Sequence, residues 1–258
     1  MYNKYYQDAE DFYANKNYEK ALTLFKKSLK LNKSNDCLNY IGCCYLALED
    51  YISAIRTFKE LIKICPEWGG RPVFNLGRIY LKLRQFKKAL KYFKKALSIN
   101  PDNEDTYYYF GVLYYEVKDY EMAKKYYEES LLINAEQSET HLNLGTCYAK
   151  LGLYEKAIQE FNFAYKYDNE CVEAIQAKGL AYICLKNYSE ALPNLFKVDN
   201  LEPNNTENML DIAHCYYKLA DYESALIWVN KLLSIEPEHE LGNKLLKNAT
   251  LMSQKQVT

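Results

Sequence analysis

The sequence predicts an all-α fold, an α-solenoid of stacked antiparallel helix pairs, on three observations. An alanine recurs at Ala21, Ala54, Ala89, Ala123, Ala157, Ala191 and Ala225, at spacings of 33, 35, 34, 34, 34 and 34 residues. A small residue keeps step twelve positions before each, as Ala9, Gly42, Gly77, Gly111, Gly145, Gly179 and Ala213. Aromatics fill two further columns. One stands three residues before the alanine (Tyr18, Tyr51, Phe86, Tyr120, Tyr154, Tyr188, Tyr222), the other three after the small residue (Phe12, Tyr45, Tyr80, Tyr114, Tyr148, Tyr182, Tyr216). Seven units in phase mark a tandem repeat, and a period of this length belongs to helical hairpins that bury their apolar faces by stacking.

Each unit reads as two apolar patterns of helical period, helix A and helix B, separated by turn-like residues such as Gly152 and Leu153. The small residue lets helix A approach its partner closely, the alanine does the same on helix B, and the aromatics fill the space between. Pro66, Pro101, Pro203 and Pro237 close four units, because proline cannot continue helix B. The predicted repeats run 2–35, 35–68, 70–103, 104–137, 138–171, 172–205 and 206–239. Residues 240–258 are expected to form a capping helix and tail, with Leu241, Leu245, Ala249 and Met252 on one face to cover the last repeat. Two places break the rhythm. EWGGRP adds one residue between repeats two and three, a loop insertion or a hinge, with Pro72 harmless in the first helical turn; Pro193 inside helix B of repeat six should kink it.

The pattern resembles the tetratricopeptide repeat (TPR) family. Repeat two carries its signature as Leu38, Ile41, Gly42, Tyr45, Ala54, Phe58 and Pro66. Repeat three carries it as Val73, Leu76, Gly77, Tyr80, Ala89, Phe93 and Pro101, and repeat five as Leu144, Gly145, Tyr148, Ala157 and Phe161. The resemblance covers residues 2–239 and implies a right-handed superhelix, with helices A on the concave side and helices B on the convex side. It implies protein binding without specifying the partner, since a fold hosts many functions.

Composition narrows the classes. No apolar run is long enough to cross a membrane, the N-terminus MYNKYYQDAEDF is not a signal peptide, and eight cysteines lack metal-ligand spacing, so a reduced, cytoplasmic protein is expected. Catalytic parts are missing. His141 falls on a packing position, only His214 faces the expected groove, Cys44, Cys147 and Cys215 point inward, and no glycine-rich phosphate loop exists. No enzyme activity, cofactor or metal is expected. The recurring acids Asp36, Asp105, Glu139, Glu173 and Glu207 fit favourable placement near helix N-termini.

The resemblance implies that a ligand would lie along helix A positions 2, 5, 6, 9, 12 and 13 of each unit. Those positions give Tyr40, Arg71, Phe74, Asn75, Arg78, Tyr108, Tyr109, Val112, Tyr115, Leu142 and Asn143 as candidate groove residues for a peptide or protein segment. Tyr6, Asn39, Cys43 and Thr146 share those rows. Some TPR co-chaperones grip a carboxylate with a lysine–asparagine clamp; the matching positions hold Tyr6, Glu10, Tyr40, Arg71 and Asn75, of which only the last two could serve. Other members use a row of asparagines, matched here by Asn75 and Asn143 but broken by Tyr40, Tyr109, Ala177 and Asp211.

Charge is unevenly spread. Residues 1–103 hold 19 Lys/Arg against 10 Asp/Glu, and residues 104–258 hold 14 against 24. Lys26, Lys27, Lys30, Lys59, Lys63, Lys87, Lys88, Lys91, Lys94 and Lys95 fall on the expected convex face of repeats one to three. They read as a solvated face, as a contact for an acidic partner, or as one half of a head-to-tail self-association. Nucleic acid is disfavoured because no RNA-reading motif appears. The function expected is a non-enzymatic scaffold or adaptor binding in the groove. The alternatives are a self-assembling scaffold and a regulatory subunit sensing a signalling peptide, the latter without room for a further domain because Tyr2 opens repeat one.

Overall fold

The computed structural model describes residues 4–66 and 70–257. Tyr2, where the first repeat was placed, Gly69 of the inserted stretch and Thr258 lie outside the described residues. Among the described residues there are fifteen α-helices and no strand. They are α1 (Lys4–Ala14), α2 (Tyr18–Leu31), α3 (Asn35–Ala47), α4 (Tyr51–Ile64), α5 (Gly70–Lys82), α6 (Phe86–Ile99), α7 (Glu104–Glu116), α8 (Tyr120–Ile133), α9 (Ser138–Lys150), α10 (Tyr154–Tyr167), α11 (Val172–Cys184), α12 (Tyr188–Leu201), α13 (Thr206–Lys218), α14 (Tyr222–Ile235) and α15 (Glu240–Val257). The chain divides into two compact units, one ending at Val117 and one beginning at Lys118. α7 therefore belongs to the first and α8 to the second.

In the first unit α1 packs on α2, α3 on α4 and α5 on α6, and each hairpin packs on the next, with α4 against α5 across the inserted stretch. In the second unit the pairs α9–α10, α11–α12 and α13–α14 stack the same way, and α15 covers α14 and α13. Leu245 and Ala249 carry that cover, while Leu241 stays 58% exposed, so the capping face is narrower than its apolar spacing suggested.

The alanine column is fully buried at all seven positions. Four residues further on stand Phe25, Phe58, Phe93, Tyr127, Phe161, Leu195 and Val229, all at 2% exposure or less. Within each unit these residues, not the conspicuous aromatic columns, fill the centre of the hairpins. The aromatics three after the small residue are mostly half-buried at its edge, where lysines of helix B lie over their rings: Lys26 over Tyr45, Lys88 over Tyr80 and Lys156 over Tyr148. At Tyr148 the phenol O–H donates to Glu128 Oε1 at 2.8 Å, so the ring packs while its polar tip is bonded.

Two further helix A positions are buried, the tenth as the inward-pointing cysteines led one to expect and the third in addition. Cys37, Thr106, Thr140, Ala174 and Asn208 occupy the third position of their helices, and the Asn208 amide donates to Leu195 O at 2.9 Å. Cys44, Ile79, Leu113, Cys147, Ala181 and Cys215 occupy the tenth. Burial pushes the thiols of Cys44, Cys147 and Cys215 up to about 12, which suits small inert hydrophobes.

Helix starts and stops follow local chemistry. Asn17, Asp50, Asn103, Asp119, Asn205 and Asp221 each accept a hydrogen bond from the backbone N–H three residues on, capping α2, α4, α7, α8, α13 and α14. Helix A of seven hairpins ends in a left-handed residue: Lys16, Glu49, Arg84, Lys118, Gly152, Lys186 and Ala220, with φ between 55° and 76°. α12 runs through Pro193 at the same 14-residue length as its counterparts.

Candidate functional site

Besides packing on its own hairpin, α3 touches α5 and α5 touches α7, so these helices offer adjoining outer faces. Between them opens a cleft of about 770 Å³, within the size range of small-ligand and peptide sites. Its walls come from Tyr13 of α1, from Asn39, Tyr40 and Cys43 of α3, and from Arg71, Phe74, Asn75 and Arg78 of α5. Asn100, Asn103, Glu104, Asp105 and Thr106 close one end. Five of the eleven candidate groove residues meet here: Tyr40, Arg71, Phe74, Asn75 and Arg78.

The aromatic wall is fixed by stacking. Tyr40 lies flat on Phe25, with centroids 4.7 Å apart and planes 6° apart, and takes the edges of Tyr13 and Tyr6 at 5.2 and 6.0 Å. Tyr6 itself is 4% exposed, so it supports the wall from beneath and does not face a ligand. Burial pushes the phenol of Tyr13 up strongly and that of Tyr40 up with help from Glu10, leaving both as neutral donors. Phe74 meets Tyr109 edge-on at 5.4 Å, and Tyr109 stacks over Phe93 at 6.1 Å.

The polar groups of α5 are interlocked. The Asn75 amide donates to Cys43 Sγ at 3.6 Å, and its Oδ1 accepts from Arg78 Nη1 at 3.2 Å. The Arg78 guanidinium lies 5.0 Å from the Tyr109 centroid and 5.7 Å from that of Phe74. Asn75 is thus 6% exposed and already bonded on both amide atoms, unlike a free rung of an asparagine row. Across the cleft Asn39 is 7% exposed, and its Oδ1 has no donor. Partial burial pushes the Asp105 carboxyl up, with Glu104 adding and Arg78 opposing.

The remaining candidates do not line the cleft. Tyr108, Tyr109, Val112 and Tyr115 are half-buried on α7, with Tyr109 adjoining the cleft through Phe74 and Arg78. Leu142 and Asn143 are half-buried on α9 in the second unit. Sequence reasoning missed the end wall at Asn100 and Asn103, whose only signal was an N-cap asparagine ahead of α7. In the second unit, His141 does more than pack. It is 7% exposed, with Nδ1 2.7 Å from Glu160 Oε2 and Nε2 3.0 Å from Ala135 O. His214 on α13 is half-buried, and burial, with Lys218 adding, pushes its pKa down.

Among the described residues no group of three or more His, Cys, Asp or Glu could hold a metal ion, and no helix is long and apolar enough to cross a membrane.

Family models of the tetratricopeptide repeat match residues 37–67 and 138–171, 74–103, and 92–125. A model of the regulator of microtubule dynamics proteins 1–3 matches 181–256. Among curated proteins the chain is 26% identical over 104 residues to heat shock protein STI1 of Saccharomyces cerevisiae, covering 40% of this chain and 18% of that one. It is 28% identical over 81 residues to the BBSome complex member BBS4 of Xenopus tropicalis, covering 31% and 15%. The matched regions thus span less than a fifth of those relatives. Among solved structures, the C-terminal part of a TPR repeat-containing protein from Cytophaga hutchinsonii superposes with a TM-score of 0.73 at 19% identity, over 93% of this chain and 99% of that one. The TPR protein YrrB gives 0.67 at 24% identity, over 74% and 97%. With its paired helices in a 34-residue rhythm and these repeat-model matches, the chain belongs to the tetratricopeptide repeat family, whose members are in general protein-interaction scaffolds.

Proposed function

We propose that the chain is a non-enzymatic scaffold that holds a peptide or protein segment in the cleft and along the adjoining face of α7. The observation that carries this reading is the cleft itself: fixed aromatic faces alternate with amide and guanidinium groups in a volume suited to a few residues of chain. YrrB is described as a TPR protein with an unusual peptide-binding site, which supports the same use of the fold here. A cytoplasmic setting suits eight cysteines that form no disulfide.

The test is capture of partners from native lysate with wild type and a Phe74→Ala/Tyr108→Ala variant, with folding checked by circular dichroism. Each lost aromatic contact should cost about 2 kcal/mol of binding, so partners retained by wild type should wash from the variant. Equal retention by a folded variant sinks the reading.

A second reading is favoured by the outer faces of α2, α4 and α6, where all ten lysines named above are exposed. They would meet an acidic partner or the acidic half of another copy. Sedimentation of the purified chain at low and high salt decides the latter. Oligomers that dissociate as salt rises support it, and a monomer at low salt rules it out.

A further inference from the structure

We infer that the cleft of the first unit takes an acidic segment, with Arg78 anchoring a carboxylate and Arg71 making a second, outer contact. This rests on the groove reading above and adds the chemistry of the ligand.

Arg78 is built in place. Its guanidinium is flanked by the rings of Tyr109 and Phe74 and tied to Asn75 Oδ1, which is itself held by the Cys43 contact. Such a group has lost most of its side-chain freedom before a ligand arrives and presents its remaining N–H donors in a fixed fork. That fork matches a carboxylate bidentately. Yet neither Arg78 nor Arg71 has a carboxylate oxygen within 4.0 Å among the described residues. Other cations of the chain find one: Arg84 pairs with Glu116 at 3.3 Å and Lys231 with Asp199 at 2.9 Å.

Arg71 and Arg78 lie two helical turns apart on one side of α5, about 10 Å along the axis. An extended chain covers that span in about three residues. The ligand is therefore a stretch with more than one Asp or Glu, running past Phe74, which offers a face for an apolar side chain between the acids. Arg71 occupies one position of the lysine–asparagine clamp, but the anchor, Arg78, stands outside it and does not depend on the residues that Tyr6, Glu10 and Tyr40 replace.

The negative end of the cleft, Glu104 and Asp105, gives the ligand a direction, since its acids are repelled there and drawn to α5. The surrounding surface favours the encounter, because residues 1–103 carry nine more basic than acidic side chains.

The test is fluorescence anisotropy with the full chain and two labelled probes, a short peptide with Glu-Glu-Leu-Glu-Glu in a Gly/Ser frame and its counterpart with Gln for every Glu. The Glu peptide should bind more tightly, and Arg78→Gln should weaken it by about tenfold or more. Arg78→Lys should recover only part of that, because an ammonium lacks the fork. Arg71→Gln should cost about threefold, being more exposed. Asp105→Asn should tighten binding by about twofold, the opposite sign from the same cleft. A Lys91→Gln/Lys94→Gln variant on the outer face of α6 controls for net charge. Equal binding of the two peptides, no detectable binding of either, loss in the lysine control as large as in Arg78→Gln, or indifference to Arg78→Gln in a variant with a wild-type melting curve each overturns the inference. If the Gln peptide then still binds wild type and is lost in Phe74→Ala/Tyr108→Ala, the groove reading survives its failure.

Discussion

The ring of Phe93 fills the space in which a side chain at Gly77 would begin: a Cβ on Gly77 would stand 2.4 Å from Phe93 Cε1. The same relation joins Gly42 to Phe58 and Gly145 to Phe161, both at 2.6 Å, and Gly179 to Leu195 at 2.8 Å. All four partners are buried at 2% exposure or less, so none can swing into solvent. Glycine is required at these positions by close approach, since no left-handed φ is involved.

Gly77→Ala tests that relation. Alanine gains about 1 kcal/mol of helix propensity over glycine, but overpacking a closed core costs about 1–3 kcal/mol. With the clash at 2.4 Å the second effect should win by about 1–2 kcal/mol, read as a lower urea midpoint. Adding Phe93→Leu, which copies the partner used at Gly179, should make Gly77→Ala less costly than it is alone. A Gly77→Ala protein at least as stable as wild type would refute the packing argument.

Ala220 carries φ of 60° at the turn where Gly152 carries 76°. A left-handed residue with a Cβ costs about 1–2 kcal/mol, while glycine adds about 0.5–1 kcal/mol of unfolded-state entropy to overcome. Ala220→Gly should therefore stabilise by about 0.5–1 kcal/mol, and Gly152→Ala should destabilise by a similar amount. Thermal melts of the two single variants check the pair of signs together.

His141 joins three elements through its two ring nitrogens: α9, which carries it, Glu160 on α10, and the carbonyl of Ala135 before α9. His141→Phe keeps the stacking against Phe163 and Tyr167 but strands a carboxylate that is only 18% exposed. Breaking such a pair by removing one partner is expected to cost about 2–3 kcal/mol, measured by urea unfolding. His141→Phe/Glu160→Leu should lose less than His141→Phe alone, because no stranded charge remains.

The hairpins were legible in the sequence because each small residue must meet one bulky neighbour, and that constraint writes itself into Gly77 and Ala89 at a fixed distance. The filler, Phe93, was less obvious than the tyrosine columns, since hydrophobic columns do not say which member sits at the centre and which at the wet edge. Asn39 and Asn208 show the other limit. Both bury an Oδ1 that has no donor, yet the Asn208 amide nitrogen finds Leu195 O of the preceding hairpin at 2.9 Å. Periodicity places a residue on a face; it does not reveal a partner contributed by the preceding hairpin. The cleft was read in part for the same reason. Groove spacing found Arg71, Phe74 and Arg78, but the end wall comes from the segment joining α6 to α7, which has no periodicity to read.

Asp211 sits on α13 at the position where Asn75 and Asn143 stand in other repeats. Burial, with the charge of Glu207 adding to it, pushes its carboxyl up to about 6, against about 3.9 in an unfolded chain. A carboxyl raised on folding destabilises when ionised. Its cost is absent below about pH 4, grows as pH rises between the two values, and is complete above about 6. The full difference would be worth about 3 kcal/mol, and solvent reaching this half-buried side chain reduces it to about 1–2 kcal/mol. Asp211→Asn should therefore raise stability by that amount at pH 7.5 and leave it nearly unchanged at pH 4. Urea midpoints of wild type and variant at the two pH values give the answer. A gain of equal size at both would show that the benefit of asparagine is packing or hydrogen bonding and not relief of a buried charge.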